Sequence, residues 1–190
     1  MAKKTRKAEE KKQENKEKAK VIKANFTGES VVSNTKEAMD LYGSSRFGEI
    51  IGGKVHYSIP EALYLLEKGR LQIMHKKKKL KFEKFMQEAL EIDKKIRTKY
   101  LVFFDLRSRG YIVKTALKFG AEFRVYSKGV KPGEDHAKWV LFPVNESQEF
   151  SWHDFAAKNR VAHATKKNLL IAIVDEEGDV TYYEISWIRP

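Results

Sequence analysis

Residues that could together break a phosphodiester lie in the second half of the chain: Tyr126, His136 and the pair Lys166-Lys167. Cutting RNA without a metal needs a base for the 2′-hydroxyl proton, an acid for the departing 5′-oxygen and a cation for the charge that builds on the phosphate. Histidine titrates near neutrality and suits the acid. Tyrosine, with a pKa of about 10, is a poor base unless neighbouring cations lower it. A lysine would supply the cation. Each group also has a plainer reading: a strand-end aromatic packs, a histidine in a polar loop is a surface group, and paired lysines are solvated. Residue types alone leave that choice open.

The elements around these residues read clearly. "KFGAEFRVYSKG" alternates apolar and polar residues up to Tyr126 and stops at Gly129, the pattern of a half-buried strand entering a turn. His136 lies in the Gly/Pro-flanked "PGEDHAKW", and the lysine pair immediately precedes the apolar run Leu169 to Val174. Tyr111 to Thr115, Glu122 to Tyr126, Lys138 to Phe142, Arg160 to Ala164 and Val180 to Ile188 read as further strands. "SWHDFAAKN" reads as a short helix capped by Ser151, with Asp154 at N3.

Upstream, a helix from about Lys94 to Arg109 carries Ile96, Tyr100, Phe103, Phe104 and Leu106 and ends at Gly110. "SIPEALYLLEKG" begins with an S-x-x-E capping box, Ser58 with Glu61, and ends at Gly69; Leu63, Leu66 and Tyr64 would face the core. Another helix places Phe82, Phe85, Met86, Ala89 and Leu90 at helical spacing after a lysine run, Lys76 to Lys79, that reads as an exposed loop. Val21 to Phe26 and Lys54 to Tyr57 are β-like, with glycine turns at Gly48 and Gly52-Gly53. These patterns predict an α/β protein: a tail over residues 1–20, an α+β unit over 21–97 and a mixed-sheet α/β unit over 98–190.

The remaining composition narrows the chemistry. Among 190 residues there is no cysteine, which excludes disulfides and thiolate-ligated metal sites. His56, His75, His136, His153 and His163 show no metal-ligand spacing, and no P-loop, dinucleotide fingerprint or nucleophile elbow is present, so no cofactor is expected. No apolar run approaches the roughly 20 residues of a membrane span, and the N-terminus is charged rather than signal-like, which predicts a cytoplasmic protein without a membrane partner. The net charge is +12, from 38 Lys+Arg against 26 Asp+Glu, which favours an anionic partner such as nucleic acid or simply aids solubility. The tail holds nine Lys/Arg and four Glu and cannot form a core; it could add phosphate affinity or only solvation.

From about Tyr100 to the end, the chain closely resembles the archaeal tRNA-splicing (intron) endonuclease family. The blocks that carry the resemblance are "KYLVFFDLRSRGYIVKTALKFGAEFRVYSKG", "PGEDHAKWVLFPV" and "RVAHATKKNLLIAIVDEEGDVTYYEISWIRP", in that order. The earlier "KVHYSIPEALYLLEKGRLQI" looks like the family's N-terminal domain. The resemblance implies a restriction-endonuclease-like C-terminal domain with a Tyr/His/Lys triad. By motif, Tyr126 would be the base on the 2′-OH, His136 the acid, and Lys167 the transition-state cation, with Lys166 the neighbour it could be confused with. Ala116 and Ala164 replace a glycine and a serine common in the family, which touches local geometry rather than any triad group.

The resemblance further implies precursor tRNA as partner, cut in each bulge of a bulge–helix–bulge to leave a 2′,3′-cyclic phosphate and a 5′-OH. Arg160 would clamp a flipped base, with Trp187 or Arg189 as its partner. The chain would act as a homotetramer, or in a heterotetramer with a structural subunit. The hairpin tip "DEEGD" (Asp175, Glu176, Glu177, Asp179) would dock into a basic pocket of another subunit. The alternative is a non-catalytic, RNA-binding structural subunit, against which the complete triad argues. A metal-dependent DNA endonuclease would need an acidic cluster, which the sequence lacks.

Overall fold

The computed structural model describes residues 21–117 and 120–188; the lysine-rich segment 1–20 and Arg189 lie outside them. Alternating and glycine-punctuated stretches of the first half build a six-stranded sheet. Its strands are β1 (Ile22–Phe26), β2 (Val31–Ser33), β3 (Glu49–Ile51), β4 (Lys54–Tyr57), β5 (Leu71–His75) and β6 (Lys78–Leu80), in spatial order β3-β4-β2-β1-β5-β6. The β1/β5 pair is parallel and the other pairs are antiparallel. Helices α1 (Lys36–Ser45) and α2 (Ile59–Glu67) fall between these strands. Helices α3 (Phe82–Ile92) and α4 (Ile96–Ser108) follow them.

The second sheet holds β7 (Ile112–Thr115), β8 (Phe123–Tyr126), β9 (Trp139–Asn145), β10 (Asn168–Val174) and β11 (Val180–Ile185), in order β11-β10-β9-β8-β7. Here β9 and β10 are parallel, which requires a long crossover, and α5 (Trp152–Ala164) supplies it.

The capping box at the start of α2 forms as expected: Glu61 accepts hydrogen bonds from the Ser58 backbone and hydroxyl, at 3.0 and 2.9 Å. Three helices end in the same reciprocal backbone pattern, in which the second residue past the cap reaches back five positions and the first reaches back three. In α2 these donors are Arg70 and Gly69, in α4 Tyr111 and Gly110, and in α5 Lys167 and Lys166. The residue just past the cap must turn left-handed, and Gly69 (φ 66°) and Gly110 (φ 88°) do so freely. Lys166 takes the same place at φ 54° with a full side chain.

One core joins the two sheets. Phe26, Val31, Tyr57, Leu63, Leu65 and Phe85 of the first half belong to the same buried cluster as Phe103, Val113, Phe123, Val125, Leu141 and Val174 of the second. A smaller cluster, including Val140, Phe142, Leu169 and Ile171, lies on the other face of the second sheet beneath Ala162 of α5. Polar ties reinforce the junction. The buried Lys114 ammonium on β7 donates to the Arg46 and Gly48 carbonyls and to Glu61, 2.9 Å away. Arg107 of α4 donates to the Ser45 carbonyl at 2.9 Å and lies over the Phe47 ring.

Several expectations need correction. Arg160 to Ala164 is not a strand but the end of α5. Ala156, Ala157, Ala162 and Ala164 favour helix, and a helix begun at the Ser151 cap continues through Val161. Lys76 to Lys79 is not a loop: Lys76 and Lys77 form a two-residue turn and Lys78 and Lys79 lie in β6. In α2, Leu65 is buried beside Leu63, while Leu66 and Tyr64 are half-buried against the same core. The last strand stops at Ile185, so Trp187 lies beyond it.

Candidate active site

Sheet topology determines where the candidate residues fall. β8 runs antiparallel to β9, and β9 runs parallel to β10. The end of β8 therefore meets the beginnings of β9 and β10. Tyr126 closes β8, His136 lies in the loop that leads into β9, and Lys167 immediately precedes β10. The backbone of Lys138 ties the three together: its N–H donates to the Val125 carbonyl and its carbonyl accepts from Asn168 N–H, both at 3.0 Å. All three candidates thus sit at one end of three adjacent strands.

Their surroundings differ. Tyr126 is buried, 4% exposed. His136 is exposed, and its backbone N–H donates to Asp135 Oδ1 at 2.6 Å. The histidine loop is held in tight turns, Val130 N–H to Ser127 O and Glu134 N–H to Lys131 O. Lys167 is half-buried and its ammonium donates to the Thr165 carbonyl at 2.8 Å. Burial, and then the positive charge of Arg124, push the Lys167 pKa below the usual lysine value. Arg124 precedes Tyr126 by two residues on β8 and so shares its sheet face. Its guanidinium is 3.7 Å from Glu49 of β3, and its Nε is buried with no hydrogen-bond partner among the described residues.

The helix end separates the two lysines. Lys166 occupies the left-handed position past the α5 cap and is exposed, whereas Lys167 follows it back toward the sheet. The same helix builds the neighbouring surface. Ala156, Asn159, Arg160 and His163 recur at helical spacing and, with Trp187, line a cleft of about 370 Å³. Asn159, His163 and Trp187 also border a second cleft of about 250 Å³, shared with Lys166, Lys167 and Asn168. The rings of His163 and Trp187 are 4.8 Å apart and tilted by 54°. A continuous groove therefore runs from Lys167 past a His/Trp wall to Arg160.

The family resemblance brought Arg160 and Trp187 forward, and both line this groove; Arg189 lies outside the described residues. Sequence alone assigns no role to His163, Asn159 or Arg124. The helical repeat 156-159/160-163 was the available signal, hidden by reading Arg160 to Ala164 as a strand. Among the described residues, no three His, Asp or Glu side chains gather as a metal site. The "DEEGD" segment does form a hairpin tip between β10 and β11, with Glu176, Glu177 and Asp179 exposed and Glu176 N–H bonded to Glu146 at 2.8 Å.

Residues 22–86 match the tRNA intron endonuclease N-terminal domain, and residues 96–182 match the catalytic C-terminal domain of tRNA intron endonuclease. The chain belongs to the tRNA intron endonuclease family. Its relatives include a tRNA-splicing endonuclease of Thermococcus onnurineus, 41% identical over 88% of this chain and 97% of its own length. One from Pyrococcus horikoshii is 43% identical over 90% of this chain and 98% of its own. One from Nanoarchaeum equitans is 44% identical over 68% of this chain and 87% of its own. The resemblance read from the sequence blocks, and the mixed α/β class with two mixed sheets, both hold.

Proposed function

We propose that this chain is the catalytic subunit of a tRNA-splicing endonuclease that cuts precursor tRNA at its introns. The observation that carries the reading is the meeting of Tyr126, His136 and Lys167 at one end of β8, β9 and β10, within a chain whose relatives bear that name. Tyr126 takes the proton of the 2′-hydroxyl. The 2′-oxygen attacks the adjacent phosphorus, the P–O5′ bond breaks, and His136 protonates the leaving 5′-oxygen. Lys167 stabilises the charge on the non-bridging oxygens. The products are a 2′,3′-cyclic phosphate and a 5′-OH, and no step calls on a metal.

The groove suits the substrate. Unstacked bulge bases can be gripped singly, whereas A-form helices are read by shape and phosphate. Arg160 and Trp187 offer a cation and an aromatic plane for one flipped base. Cutting in two bulges requires two active sites at a fixed distance, so the working enzyme is an assembly, either a homotetramer or two catalytic with two structural subunits. The exposed Glu176, Glu177 and Asp179 tip docks one chain on the next. No helix among the described residues is long and apolar enough to cross a membrane.

The test is cleavage of labelled precursor tRNA bearing a bulge–helix–bulge, in EDTA, by wild type and His136→Ala. Two cuts by wild type and a loss of about 10²–10⁴-fold in the variant are expected for removal of a general acid. Undiminished cutting by His136→Ala would overturn the assignment, and failure of EDTA-treated wild type to cut would overturn the metal-free step.

A further inference from the structure

The β5–β6 hairpin is built against its own turn chemistry. His75 pairs with Lys78, so Lys76 and Lys77 are the whole connection. Both have positive φ, 49° and 65°, the signature of a type I′ turn. That turn favours Asn-Gly, because side chains other than Asn, Asp and Gly are strained in the left-handed region. Here two lysines fill it. Lys78 and Lys79 follow directly, and all four are exposed. Among the described residues, no carboxylate lies within ion-pair distance of any of the four ammonium groups. The nearby Glu88 is engaged by His75 Nδ1 at 2.8 Å.

Edge protection explains only part of this. β6 is the outer strand of its sheet, and lysines on an edge strand deter pairing with another chain. That accounts for Lys78 and Lys79. It does not account for Lys76 and Lys77, which sit in the turn and have no ladder to guard. Four like charges at the end of a tight hairpin also repel one another, so the arrangement is unfavourable for the isolated chain in both backbone and charge. Such a cost at an exposed tip is expected where the tip meets a polyanion, and counterion release from that polyanion is the gain.

We infer that the Lys76–Lys79 hairpin is a second RNA-contacting site, a sequence-independent grip on substrate phosphates outside the Tyr126–His136–Lys167 centre. It rests on the reading of RNA as the substrate. The tip offers ammonium groups without base-reading side chains, so it adds affinity and orientation rather than sequence choice. The compact ammonium of lysine, on its long flexible stem, suits phosphate as a point charge and needs no fixed geometry.

The test is the binding of precursor tRNA by the full-length chain in the His136→Ala background, across a salt series. The quadruple variant Lys76→Asn/Lys77→Gly/Lys78→Gln/Lys79→Gln removes the four charges and at the same time gives the turn its preferred dipeptide. If two phosphate contacts are lost, the slope of log affinity against log salt flattens by about 1.4–1.8. Melting temperature should hold or rise in the same variant. An unchanged slope would overturn the inference, as would a lowered melting temperature or a changed assembly mass by light scattering, which would assign the lysines to folding or to subunit contact. If the parent binds no precursor tRNA at any salt, the substrate reading fails and the inference falls with it.

Discussion

Replacing Lys114 by methionine leaves a carboxylate buried without its counter-charge. Lys114 and Glu61 are 5% and 4% exposed and 2.9 Å apart. Removing one partner of such a pair costs about 3–5 kcal/mol, since the other charge stays desolvated. Two carbonyls, of Arg46 and Gly48, lose their donor as well. For a chain of this size the loss lowers the melting temperature by roughly 6–20 °C. In the wild type, burial pushes the Glu61 pKa up, but the Lys114 charge and hydrogen bonds from Gly48, Lys114 and Ser58 outweigh it and hold the carboxyl below its ordinary value. A depressed carboxylate stabilises above the unfolded-state pKa, and that contribution is lost as pH falls through the folded one. In Lys114→Met, burial is no longer opposed by Lys114 and the folded pKa rises above the unfolded value. The sign then reverses: Glu61 costs stability near neutral pH, and acidification relieves the cost. Guanidinium denaturation of both proteins at pH 7.5 and 5.5 should show the gap narrowing at the lower pH. Adding Glu61→Gln should recover most of the loss. A deficit below about 1 kcal/mol at pH 7.5, or a gap that widens on acidification, would refute this account of the pair.

Other consequences can be measured more simply. Lys166→Gly relieves the left-handed lysine past α5 and should stabilise by about 1 kcal/mol by calorimetry while leaving cleavage within a few-fold of wild type. Lys167→Ala should instead cut the single-turnover rate by at least about 10²-fold, as expected for a lost electrostatic stabiliser. Trp187→Ala should weaken precursor tRNA binding by about 1–3 kcal/mol, the worth of one stacked base, read from titrations at fixed salt. Arg124→Gln removes one of the two influences that lower Lys167, so the titration of Lys167 followed by NMR should move to higher pH.

Local signals in the sequence located most elements, and long-range ones did not. The Ser58/Glu61 box and the glycines at 69 and 110 marked helix ends that the structure repeats. Helix α1 went unseen although Thr35, its cap, precedes it, because its apolar residues Ala38, Met39 and Leu41 make a narrow stripe. The short strands β2, β3 and β6 have three residues each, too few for alternation to register. At the site, Tyr126, His136 and Lys167 could be nominated from motif, whereas their common location follows from the parallel β9/β10 pairing, which no single segment encodes. Arg124 escaped because its interest lies in what surrounds it: a strand arginine is unremarkable until its neighbours across the sheet are known.

The cluster that unites both halves bears on how this chain can be taken apart. Helix α4 presents Val102, Phe103 and Leu106, all under 5% exposed, to a core supplied by both sheets. A fragment beginning near Ile96 would carry the whole of the second sheet yet open that apolar surface to water. The two halves should therefore melt in a single calorimetric transition, and amide protons of β1 and β10 should exchange with the same limiting free energy. A shortened descendant that dispensed with the first sheet could survive only by borrowing an equivalent apolar cover from another polypeptide.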